Sequence, residues 1–404
     1  MASFGFTFLS RQALGQAEQM LFGGAAGVRD EVGFLIVHQR YADRFFPGTS
    51  VLQTRLRYAF LIPWMYQSLR ERRPPPKDFA QAFIDLEHAI TGRLQFDGEG
   101  GERDGVIGGE VYPRASSQPP AYVYWTALWR WGLISTRPDG RPWSRADMAR
   151  LLEASRGKPL KDEDGKPVME TAPWPIAGLG DPPADLSGTG KMTLGLSRAE
   201  RGLLARKLRA VRSPVAPHPA SLLSRLVGKP LDDADHCWDA SILALAGEEK
   251  AALNRAGQAA ALSAIGRGVY AAQVETLKDV RDRRSLSTIH RDQLPETVAL
   301  WGRQAASLDQ AAFFQDVGRL PEPVEAVLTE TLAWVSSGRK DPLELLQPYA
   351  AAEKSRKKDR ARLADTQFGV DRRLEWQAEL HGSPEPLHFR WNNVRRLLRD
   401  LEGA

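Results

Sequence analysis

The chain has 404 residues, 42% of them apolar, enough for two or three ordinary domains with real cores. Lysine and arginine exceed aspartate and glutamate by 55 to 50, so the bulk charge permits an anionic partner without demanding one. The single cysteine, Cys237, excludes a disulfide framework, and no cysteine-rich metal pattern surrounds it.

The first residues, MASFGFTFLSRQ, show neither a basic head nor a sustained apolar segment, so no signal or anchor is expected there and a cytoplasmic location is. Ser10 reads as the cap of a helix through Phe22, closed by Gly23-Gly24. A second helix is expected from Val28 or Asp30 to Phe45, with Phe34, Val37, His38 and Tyr41 on one stripe. Pro47 and Gly48 then make a turn, and Thr49 or Ser50 is placed to cap the next helix. That helix becomes apolar nearly all round between Tyr58 and Tyr66, the pattern of a buried core helix. The run is far shorter than the roughly 20 residues of a membrane crossing. Pro63 predicts a kink or break within it. Asp78 caps a fourth helix carrying Phe79, Phe83, Leu86 and Ile90.

Residues 96–120 are rich in glycine, proline and acids, and read as a loop around Gly105-Val106-Ile107-Gly108. Aromatic residues then crowd a helix from Ala121 to Leu133, and Ser144-Arg145-Ala146-Asp147 predicts a capping box for another to Ala154. Helix, turn, basic loop and helix in that order also fit a small winged-helix-like element, although paired helices are common in any all-α fold. A Pro/Gly-rich connection over 156–196 separates an expected helical N-terminal domain, 1–155, from an expected helical C-terminal domain, 197–404. In the latter Ser197 caps a helix to Val211, and an alanine-rich helix spans Glu248 to Asp282, where Gly257, Gly266 and Gly268 mark either close packing or a break. The fold class is mainly α, multi-helical, in two domains.

Arg29-Asp30-Glu31, then Phe46-Pro47-Gly48-Thr49-Ser50, Gln53-Thr54-Arg55, Arg57-Tyr58 and Pro63-Trp64 form a dense run. With Gly105-Val106-Ile107-Gly108, Tyr124-Trp125, Trp131-Gly132 and Phe389-Arg390-Trp391, it resembles the signature of an uncharacterised bacterial family classified only as a domain of unknown function. The resemblance implies a neighbourhood among proteins of phage-defence islands. It brings no catalytic residue across. Pro47, Gly48, Thr49, Arg55, Arg57, Tyr58 and Trp64 read as structural, with Arg55 and Arg57 expected to pair with Asp30, Glu31 or Asp43 because a desolvated arginine requires a carboxylate.

Basic residues cluster in three windows. Arg55 to Lys77 holds six against Glu71, Arg198 to Arg212 six against Glu200, and Lys354 to Arg362 six against Asp359. Lys354, Arg356, Lys357, Lys358, Arg360 and Arg362, with Arg206, Lys207 and Arg209, are the candidate nucleic-acid contacts, against the usual reading of such runs as solvated helix faces. The seven histidines are dispersed, no metal-ligand spacing is present and no cofactor is implied. The leading expectation is a non-catalytic component of an antiphage defence system that binds DNA, RNA or nucleic-acid-processing proteins of the same operon. The alternatives are a metal-dependent nuclease or nucleotide-processing effector, with Asp30, Glu31 and Asp43 as its best carboxylates, and a pure helical scaffold.

Overall fold

The computed structural model describes residues 30–72, 75–95, 101, 103–155, 174–176, 178–284, 287–381 and 384–403. The helix expected over 10–22, Arg29 of the signature and the stretch 156–173 lie outside the described residues. In chain order the elements are α1 (Leu35–Phe45), α2 (Tyr58–Glu71), α3 (Phe79–Arg93), β1 (Leu94–Gln95), α4 (Pro120–Arg130), α5 (Arg145–Ala154), β2 (Met192–Thr193), α6 (Arg198–Arg209) and α7 (Leu222–Leu226). There follow α8 (Ala240–Leu245), α9 (Lys250–Thr276), α10 (Ile289–Ala306), α11 (Gln310–Val317), α12 (Glu322–Ser336), α13 (Leu346–Lys357), α14 (Gln367–Leu374) and α15 (Trp391–Arg399). The chain is mainly α-helical, as its periodicity predicts; the one sheet among the described residues is the two-residue parallel pair β1 and β2. No helix among the described residues is long and apolar enough to cross a membrane. The described chain forms two compact units that do not follow sequence order: Phe46–Pro230 with 392–403, and 30–45 with Leu231–Trp391.

In the first unit α2 is buried on every side, from Tyr58 through Tyr66 and at Leu69. It packs on α3 and α4, where Tyr66 stacks on Phe83 at 4.3 Å and Tyr58 lies 5.3 Å from Tyr124. The helix runs unbroken through Pro63. Thr49 and Ser50 do not cap it, because α2 starts only at Tyr58. Gln53 closes the intervening loop instead, accepting from the Ser50 amide at 3.2 Å and donating to the Gly48 carbonyl at 2.9 Å. Ser50 Oγ accepts from the Leu52 amide at 3.2 Å and the Tyr124 hydroxyl from the amides of Thr54 and Arg55 at 3.0 Å, so side chains satisfy the backbone groups that a helix would have satisfied. Trp131 and Trp143 are core residues, and Trp131 donates to the Pro47 carbonyl at 3.0 Å.

The start of α4 is capped from outside its own segment. Pro119 offers no side-chain cap, and the carboxylate of Glu87 on α3 accepts from the Ala121 amide at 2.6 Å. Burial, partly offset by that amide and by Arg145, pushes Glu87 from 4.5 up to about 7. Its folded-state value therefore lies above its unfolded one, so this contribution to stability is complete below about pH 4.5 and is lost as pH rises through about 7. Glu87→Gln keeps the acceptor and removes the buried charge. It should stabilise the protein at about pH 8 by roughly 2–3 kcal/mol, with the gap in thermal midpoint closing at acid pH; an equal gap at both pH values would contradict this reading.

In the second unit α9 is buried almost all round and packs along α10. Its glycines serve close approach and not interruption. A Cβ at Gly257 would lie 2.6 Å from Trp238 Cγ, and one at Gly266 would lie 2.3 Å from Phe34 Cζ. The helix continues past both. Gly266→Ala should therefore destabilise by about 1–3 kcal/mol through overpacking, despite the gain in helix propensity. Gly302→Ala on α10, where the nearest side-chain atom would be at an ordinary 3.5 Å, should be neutral or stabilising by up to about 1 kcal/mol. Thermal melts of the two variants, moving in opposite directions, check the contrast.

Candidate nucleic-acid interface and a glycine-rich groove

The three basic windows carry equal counts of cations, and the fold treats them differently. Arg55 is buried and Arg57 half-buried, and each pairs with carboxylates as expected, but with other partners. Arg55 pairs with Asp104 and, at 3.1 Å, with Asp400. Arg57 lies 3.4 Å from Glu200 and donates to the Gly195 carbonyl. Arg73 lies outside the described residues, and the Arg70 guanidinium lies 4.7 Å above the Trp174 ring.

The window from Lys354 to Arg362 is half consumed. Arg356 pairs with Asp30 at 2.7 Å, Lys357 with Glu31, and Arg362 with Glu31 at 3.0 Å. Glu353 adds a third carboxylate, 3.9 Å from Lys357 and bonded to the Tyr270 hydroxyl at 2.7 Å. Lys354, Lys358 and Arg360 remain exposed, next to the exposed Asp359. Asp30, Glu31 and Asp43 are thus each held by a cation, Asp43 by Arg390 at 2.8 Å. Among the described residues no group of three His, Cys, Asp or Glu is arranged to hold a metal ion.

Helix α6 differs from both. Ser197 and Glu200 form its capping box, with the Glu200 carboxylate also turned toward Arg57. Glu200, Leu204 and Leu208 are buried. At about 100° per residue, Arg198, Arg206 and Arg209 fall within an arc of about 80° on the side away from these, and Arg201 flanks it next to Leu208. Arg198, Arg206 and Arg209 are exposed, and Arg201 is half-buried with Nη1 donating to the Leu196 carbonyl at 2.9 Å. Lys207 lies off this arc and donates to the Gly132 carbonyl at 2.6 Å. Among the described residues none of these four arginines has a carboxylate partner.

The signature residues build something else. Thr54 Oγ1 donates to the Gly105 carbonyl at 2.6 Å, the Ile107 amide donates to the Tyr58 hydroxyl at 2.9 Å, and Arg55 holds Asp104. Burial pushes the Tyr58 phenol far above its ordinary range, so it stays a neutral hydroxyl. These three contacts fix the loop from Gly101 to Ser116. Gly105, at φ +74°, lies so close to Arg55 that a Cβ would sit 2.7 Å from Cγ of the arginine. The loop and Arg396 of α15 border a groove of about 640 Å³, into which Arg103, Gly108, Gly109 and Val111 also face.

The sequence model of DUF6361, a family of unknown function, matches residues 12–265. The chain belongs to this family. No curated protein and no solved structure matches it. The matched span contains α6 and the groove loop, whereas Lys354 to Arg362 and Arg396 lie beyond it.

Sequence reasoning placed Arg201, Arg206, Arg209 and Arg212 on the outside of the helix that Ser197 caps but did not join Arg198 to them, although helical spacing puts Arg198 beside Arg209. Arg103 and Arg396 carried no signal in the sequence, because nothing local joins residues so far apart. The loop's dependence on the signature is testable. Tyr58→Phe should cost about 1 kcal/mol and speed exchange of the Ile107 amide by roughly tenfold. An unchanged exchange rate at Ile107 would show that the loop is held by other means.

Proposed function

We propose that the first unit binds the phosphate backbone of DNA or RNA through the outward face of α6, and that the protein acts as a nucleic-acid-binding component. The observation that carries this reading is the strip Arg198, Arg201, Arg206 and Arg209, whose helix turns its one carboxylate inward to Ser197 and Arg57. The strip is about 17 Å long at 1.5 Å per residue. Its cations are arginines, whose planar donors suit phosphate oxygens. The setting in antiphage defence is supported by the resemblance of the signature residues, and the helix face is independent of it.

Fluorescence anisotropy with labelled duplex DNA, single-stranded DNA and RNA across a salt series tests the proposal. Four phosphate contacts give a slope of log affinity against log salt of about −3.6 for duplex and about −2.8 for single strands. Arg206→Glu with Arg209→Glu should weaken binding more than tenfold at low salt and flatten the slope by about 2. Reversal of Lys354, Lys358 and Arg360 together should do less. Absence of binding at low salt, or binding indifferent to the α6 reversal, overturns the proposal.

A further inference from the structure

We propose that the groove beside the Gly101–Ser116 loop is a binding site for a diphosphate ester, with a nucleoside diphosphate as the ligand class it fits. This site is distinct from the α6 face and its case does not rest on nucleic-acid binding.

Space comes first. A volume of about 640 Å³ lies within the range of roughly 300–1,000 Å³ typical of small-molecule sites. Donors come second. Among the described residues the amides of Gly105, Gly108, Glu110 and Val111 meet no protein acceptor, although the neighbouring amides of Asp104, Val106, Ile107, Gly109 and Tyr112 are all bonded within the loop or to Tyr58. Free amides on a glycine-rich loop are the usual cradle for phosphate oxygens. Their two separate places, Gly105 and the Gly108–Val111 turn, suit two adjacent phosphates better than one.

Charge comes third. Asp104 also lines the groove, but Arg55 holds its carboxylate. Arg103 donates Nη1 to the Leu94 carbonyl at 2.9 Å, which fixes its guanidinium beside Gly109, where an added Cβ would lie 3.2 Å from Nη2. Arg396 stands exposed on α15 with no carboxylate within ion-pair distance among the described residues. Among the described residues of the lining the other carboxylate is that of Glu110. Two guanidiniums on a lining that also carries unbonded backbone N–H groups favour an anion. Val106 and Val111 give the lining an apolar part against which a nucleoside can lie.

Isothermal titration of the full-length protein with ADP, inorganic pyrophosphate and AMP tests the inference. ADP should bind more tightly than AMP, and pyrophosphate should compete with ADP. Arg396→Ala, a change at an exposed position, should weaken ADP and pyrophosphate by about tenfold or more, the loss of one charge-assisted contact. Arg396→Lys should recover part of that loss, and Arg206→Ala on α6 should leave ADP binding unchanged. No heat from ADP or pyrophosphate at millimolar concentration overturns the site, as does ADP binding that Arg396→Ala leaves intact. Pyrophosphate binding that ADP cannot displace overturns the nucleoside assignment.

Discussion

The first unit depends on Arg55. Its guanidinium is nearly closed to water and lies between Asp104 of the groove loop and Asp400 at the end of α15, whose carboxylate also accepts from the Leu56 amide at 2.7 Å. A desolvated arginine without carboxylates would cost several kcal/mol, so these three segments are held to one arrangement. Burial pushes Asp400 upward and the Leu56 amide and Arg55 hold it back, which keeps the carboxylate useful as a double acceptor. The consequence reaches the groove directly. Arg55 holds Asp104 and braces Gly105, and Arg103 and Arg396 are the cations of the groove lining among the described residues.

The second unit uses the same principle at a different place. Asp316 accepts from Tyr41, Arg44 and Arg255, and Glu249 takes the other side of Arg44 at 2.6 Å. Arg373 and Asp282 form a wholly buried pair at 2.6 Å. Around them α9 presents small residues to its neighbours, so that Phe34 and Trp238 close directly on the helix backbone at Gly266 and Gly257. Packing of that kind tolerates little change in volume. It explains why a helix with many alanines and glycines, weak in apolar contact by composition, stands at the centre of a unit.

Charge clustering in a sequence is a statement about supply, and the fold decides how much of it reaches solvent. Three windows with six cations each end in three different states: Arg55 and Arg57 held among carboxylates and backbone carbonyls, three cations paired with Asp30 and Glu31, and a helix face left without carboxylate partners among the described residues. Only the last has the geometry to meet a polyanion along its length. The difference lies in where the acids are, and the acids belong to other parts of the chain.

By itself the sequence determined what is local. Periodicity marked the chain as helical, Ser144 announced a capping box and Ser197 a cap that are both present, and the apolar run around Trp64 identified a buried helix. Such signals depend on neighbours within one or two turns, where residue order and spatial order coincide. The buried arginines were also legible as arginines in need of carboxylates. Which carboxylates was decided by tertiary structure alone, since Arg55 and Asp400 are 345 residues apart and Glu31 and Arg362 are 331. The loop at 49–53 is closed locally by Gln53, and the amides that follow it, those of Thr54 and Arg55, reach the hydroxyl of Tyr124 some 70 residues on. Tertiary structure also decided the groove, whose two arginines share no local pattern and whose glycines gained a role only when Thr54, Arg55 and Tyr58 were brought against them.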